Sequence, residues 1–120
     1  MQGDFTKSDR KRIRQLADLA WERGLRFELR KIAVAMEEME SNHLTPFDVT
    51  DRIHRFHDGA ARDLYKQFSN SLPWLAVCRA HLDGVLTDDD IVDASNNIRD
   101  GIREFAATFA RLGGEAETGD

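Results

Sequence analysis

Between Thr6 and Thr45 the chain contains no proline, and this uninterrupted stretch constrains the fold more than any other feature of the sequence. Thr6 or Ser8 supplies an N-cap, and a single helical pattern is predicted from there to about Glu40. At ~100° per residue, Ile13, Leu16, Ala17, Ala20 and Phe27 fall within one broad arc. Leu25, Leu29, Ile32, Met36 and Met39 share a second arc, rotated from the first by roughly 140°. The apolar stripe changes face between Trp21 and Leu25, and Gly24 sits at the change. Either the helix breaks or kinks at Gly24, or one straight rod offers two apolar faces to two different partners. A straight helix of about 30 residues is ~45 Å long, more than the width of a domain this size, so the rod implies a dimer.

The remaining punctuation is helical as well. Ser41-Asn42-His43-Leu44 is turn chemistry, and Thr45-Pro46-Phe47-Asp48 opens a second helix with Thr as N-cap, Pro at the first position and an acid at the third. That helix runs to about Phe68 on an apolar face of Val49, Ile53, Phe56, Ala60, Leu64 and Phe68, with Gly59 as a weak point. A third helix spans Leu72 to Asp83 and ends at Gly84. Thr87 and the three aspartates after it cap the last, in which Ile91, Ile98, Ile102, Phe105, Phe109 and Leu112 keep a 3/4 spacing until Gly113. The expectation is an all-α bundle of four to five helices in one domain, residues 1–112, followed by a disordered tail, 113–120. Its expected core is Leu29, Ile32, Met36, Ile53, Phe56, Leu64, Trp74, Leu75, Ile98, Ile102 and Phe105.

Composition narrows the function classes. With 120 residues and 41% hydrophobic side chains the chain can bury one modest core. No apolar run approaches the ~18 residues needed to cross a bilayer, and the start carries no apolar signal segment, so a membrane role and secretion are not expected. The single Cys78 precludes an internal disulfide and a cysteine zinc cluster, which suits a cytoplasmic location. The net charge of −5 conceals a division. Through Lys31 nine basic side chains face five acidic ones, for +4, which leaves −9 on the rest. The run Lys7 to Arg14 could be a phosphate footprint, but it is short, lacks interleaved aromatics and belongs to an acidic chain. Attraction to the acidic remainder, or to that of a second copy, is the preferred reading over nucleic acid.

A shift of 42 residues aligns Leu44 to Asp51 with Leu86 to Asp93, and Phe56-His57-Asp58-Gly59 with Ile98-Arg99-Asp100-Gly101, giving six identities. A duplicated helical hairpin would account for them, as would convergent helix-start chemistry for half. The two turns look like the end of a calcium loop. Counting back from Gly84 or Asn42, however, finds no run of oxygen ligands.

The densest polar cluster lies between Asp51 and Asp63. His54, His57 and Asp58 fall within an arc of roughly 100°, the ligand types of a zinc or iron site, although the second carboxylate-histidine pair that a bundle site needs is missing. His54, His57, Asp58 and Arg62 are the candidate binding residues. The Arg-x4-His spacing of Arg52 and His57 resembles the signature of the helical nuclease superfamily called HEPN, in which the pair is usually completed across a homodimer. The resemblance implies a metal-independent ribonuclease, with His57 as general acid or base and Arg52 on the phosphate. The sequence departs from that family at Ile53, where a polar residue is favoured, and an i, i+5 pair points ~140° apart on a regular helix. Trp21 to Leu29 together with Ile53 to Tyr65 (Ile-His-Arg-Phe-His-Asp-Gly-Ala-Ala-Arg-Asp-Leu-Tyr) resembles a family of small bacterial all-helical proteins to which no activity attaches. Cys78 has no evident base, and no glycine-rich phosphate loop occurs, so no cofactor is expected and a non-enzymatic reading is preferred. That reading is a protein-protein interaction module acting as a homodimer through its basic first helix.

Overall fold

The proline-free stretch forms one helix, α1 (Lys7–Glu40), and the computed structural model, which describes residues 5–70 and 72–118, consists of helices joined by turns. α2 (Pro46–Arg55) passes through a π-helical turn (Phe56–Ala60) into α3 (Ala61–Asn70). α4 (Pro73–Leu82), a 3₁₀ turn (Asp88–Ile91) and α5 (Asn96–Thr118) follow, and no strand occurs among the described residues. α1 is not broken at Gly24.

Two assignments differ from the sequence reading. Thr87 caps only the 3₁₀ turn, and α5 begins at Asn96, where the Ser95 hydroxyl accepts from the Ile98 amide at 3.3 Å. A second N-cap residue, Ser95, five positions after the last of the three aspartates, competes for the helix start and takes it. At the other end α5 continues through Gly113 to Thr118. Glycine weakens a helix without obliging it to stop. Of the tail expected to be disordered, residues 119–120 lie outside the described residues.

Threonine-aspartate pairs set three of the starts. The Thr6 hydroxyl accepts from the Asp9 amide at 3.0 Å while Asp9 Oδ2 accepts from the Thr6 amide at 3.2 Å. Thr45 and Asp48 repeat this exchange at 3.1 and 2.9 Å, and the Thr87 amide donates to Asp90 at 2.7 Å. Each pair satisfies amide donors that the first helical turn leaves open.

The 42-residue correspondence reappears in the backbone. After α1 the amides of Ser41, Asn42, His43 and Leu44 donate to the carbonyls of Glu37, Met39, Glu38 and Glu38. After α4 the amides of Asp83, Gly84, Val85 and Leu86 donate to Arg79, His81, Ala80 and Ala80, each partner displaced by the same 42 positions. Asn42 and Gly84 take the positive φ that this helix-ending motif needs, 63° and 80°. Asparagine tolerates that region better than most side chains, so the same turn forms without glycine.

The described contacts divide the chain into two compact units, one joining Met1–Ala20 with Pro73–Asp120, the other Trp21–Leu72. The first holds most of the core: Ile13, Leu16, Ala17 and Ala20 of α1, Ala76, Val77, Cys78 and Ala80 of α4, then Leu86, Ile91, Ala94, Ile98 and Ile102. Phe5 meets Trp74 edge to face at 4.7 Å, and Arg12 Nη2 donates to the Asp90 carbonyl at 3.1 Å and to Asp93 at 3.0 Å. Among the described residues of the second unit only Ala35 and Val49 are fully buried. The change of apolar face along α1 is therefore used within one chain, by two units. It does not by itself require a second copy. The expected core is corrected accordingly: Ile98 and Ile102 are buried, whereas Leu29, Met36, Ile53 and Leu75 are exposed. Helical periodicity groups residues on a face without stating that anything covers it.

Two outcomes follow from this packing. Leu16 is 0% exposed, so Leu16→Ala should lower the unfolding free energy by about 3 kcal/mol in urea titration, whereas Val34→Ala at an exposed site should change it by under about 0.5 kcal/mol. Asp9 is only 6% exposed, and hydrogen bonds from Ser95 and from the Thr6 backbone hold its carboxyl below the ordinary value. A depressed carboxyl stabilises the fold above its unfolded pKa, and that contribution is lost as pH falls through the folded value. The urea midpoint should therefore drop between about pH 5 and pH 3, and drop less steeply in Asp9→Asn.

Candidate binding surface on the helical hairpin

In the unit Trp21–Leu72 the second part of α1 packs antiparallel against α2, the π turn and α3. Trp21 stacks on Phe68 and meets Tyr65 edge to face, each with ring centroids 6.0 Å apart. A Cβ built on Gly24 would lie 2.9 Å from Leu64 Cδ2, so Gly24 serves close approach of the two helices. The π turn closes with the Ala61 amide donating to the Phe56 carbonyl.

The polar residues singled out by sequence separate onto two sites. His57, Asp58 and Arg62 line one shallow hollow of about 400 Å³ with Ala61 and Tyr65. Within it His57 Nδ1 lies 3.3 Å from Asp58 Oδ1, and both side chains are largely exposed. His54 is exposed and lines no part of it. Among the described residues no three His, Cys, Asp or Glu side chains converge as metal ligands would, so His54, His57 and Asp58 are not brought together as a ligand set. Arg52 and His57 also part company. Arg52 lines a different hollow, of about 280 Å³, with Glu28, Lys31, Ile32, Arg55 and Phe56.

The sequence reading missed the meeting of Lys31 with Arg52 and Arg55, since it depends on how the two helices are registered. The signal was the tight turn at Asn42, which fixes which residues of α1 and α2 stand opposite each other. Lys31 pairs with Glu28 at 3.2 Å and lies 4.6 Å from the centroid of the Phe27 ring. Arg55 pairs with Asp51 at 2.5 Å, one turn earlier on its own helix.

The opposite flank is apolar. Leu25, Leu29 and Met36 lie on the side of α1 turned away from Lys31, and Ile53 lies on the side of α2 turned away from Arg52 and Arg55. In an antiparallel pair these two sides coincide, because the sides bearing Lys31, Arg52 and Arg55 share one hollow. Leu29 and Met36 are each 49% exposed and Ile53 44%. Along the outer edge of this flank run Glu22, Arg26 and Arg30, with Glu22 and Arg26 paired at 2.6 Å.

Close approach at Gly24 has a measurable consequence. Gly24→Leu should destabilise by about 1–3 kcal/mol through overpacking against Leu64. Gly24→Ala should stay within about 1 kcal/mol of the parent, because gained helix propensity offsets a small shift of the Leu64 methyls; thermal unfolding of both variants checks the contrast. Compared with protein-family models, with curated proteins and with solved structures, the chain matches none.

Proposed function

We propose that the chain is a non-enzymatic self-association module, a homodimer in which the apolar flanks of two hairpins pack on one another to complete a four-helix arrangement. The observation that carries this is the mismatch within the hairpin. It contributes two of the fifteen buried core residues, Ala35 and Val49, yet holds eight of the twelve exposed large hydrophobics among the described residues, three of which, Leu29, Met36 and Ile53, lie on the apolar flank. Two amphipathic helices alone leave most of their apolar surface in water, and packing against two more is the usual remedy.

A second copy suits the surface for two reasons. Its outer edge carries both signs, Glu22 against Arg26 and Arg30, so two copies related by a twofold axis can place acid against base where an edge of one sign would repel itself. The lateral face of two helices of about 20 residues measures roughly 30 by 20 Å, or about 600 Å², which reaches the lower range of stable interfaces. The expected contact through the basic start of α1 gives way to this flank, because the Arg12 guanidinium there is already engaged by Asp93 and the Asp90 carbonyl. An apolar interface is correspondingly insensitive to salt.

Sedimentation equilibrium tests the reading. The parent should be dimeric at low and high salt. Leu29→Glu combined with Met36→Glu should be monomeric with helical circular dichroism retained, since both positions are half exposed in the single chain. A parent that stays monomeric across the concentration series overturns the proposal, as does a double variant that still dimerises.

A further inference from the structure

We infer that the hollow between α1 and α2, lined by Lys31, Arg52 and Arg55, is a binding site for a small phosphate monoester carrying an apolar group. Three cations reach it from two separate elements, Lys31 from α1 and the two arginines from successive turns of α2. One anion, Glu28, faces them, which leaves the lining at +2. That excess matches a dianion better than a carboxylate, and guanidinium groups present donors in the fork that phosphate oxygens accept.

The lining is also unevenly committed. Arg55 is held by Asp51, which is not part of the hollow, and Lys31 is held at the rim by Glu28 and the Phe27 ring. Among the described residues the Arg52 side chain makes no hydrogen bond or ion pair; its charge acts on Asp48 only at a distance, helping the Thr45 hydrogen bonds to keep that carboxyl low. Arg52 is thus the donor free to engage an incoming oxygen, between two cations already positioned. Ile32 and Phe56 complete the lining with apolar surface, so the ligand carries an apolar group beside its charge. The volume of about 280 Å³ fits a ligand of that size and not a dinucleotide. The site lies on the flank opposite Leu29 and Met36, so it does not depend on dimerisation.

Isothermal titration of the full chain with phenyl phosphate, inorganic phosphate and phenol tests the assignment. Phenyl phosphate should bind saturably and more tightly than either fragment. Arg52→Ala should weaken it about tenfold, the loss of one charge-assisted contact. Lys11→Ala, in the other unit, and the Leu29→Glu, Met36→Glu double variant should leave binding unchanged. Absence of saturable binding overturns the site. Equal affinity for inorganic phosphate overturns the apolar component, an equal effect of Lys11→Ala reduces it to general charge attraction, and loss in the double variant overturns a site contained in one chain.

Discussion

Everything in the structure depends on α1 being one helix with two differently oriented apolar faces. A helix of 34 residues gains little from propensity alone and is held mainly by what packs against it. Up to Ala20 that packing comes from α4 and α5. From Trp21 onward it comes from α2 and α3. Each stripe is too narrow to serve both sets of partners, and the rotation between them assigns each to its own unit. Gly24, at the change, leaves room for Leu64, which comes too close for a side chain much larger than alanine's.

The same local device closes both halves of the chain. A positive-φ residue reverses the helix, a leucine follows, and threonine and aspartate open the next element. All of its bonds span a few residues, so the turns can form before long-range packing is in place. Beyond them the halves diverge. Pro46 and an uninterrupted apolar pattern extend the first into α2, whereas Ser95 ends the second turn early and starts α5 afresh. The buried leucine differs too: Leu86 is enclosed, while Leu44 is only half buried.

Helix boundaries were legible wherever one residue type has one dominant use, as at Thr45, Pro46, Asn42 and Gly84. They were misread where two signals competed, at Thr87 against Ser95, or where a glycine sat in a helix with no turn to make, at Gly113. The core was half legible. Ile98 and Ile102 repeat on a face that two other helices cover, and Leu29 and Met36 repeat just as regularly on one that stays half exposed. For the polar residues, sequence showed neighbours along one helix and suggested an Arg52–His57 pair. Their placement in separate hollows, and the arrival of Lys31 beside Arg52, come from pairing across the hairpin, which no spacing within α2 encodes.

The π turn sets the phase of that pairing. Val49 to Phe56 is a seven-residue step, the natural repeat for a helix seated against another, but Phe56 to Leu64 is eight. On a regular helix the extra residue would carry Leu64 about 100° around the axis, away from Gly24. By closing its ring to Ala61, the segment Phe56–Ala60 absorbs that residue within one wide turn, so eight positions advance the side chains as seven would. α2 and α3 thereby act on α1 as one continuous repeat, and the segment Phe-His-Asp-Gly-Ala serves as a spacer: its length, more than its chemistry, keeps the two ends of the hairpin in step.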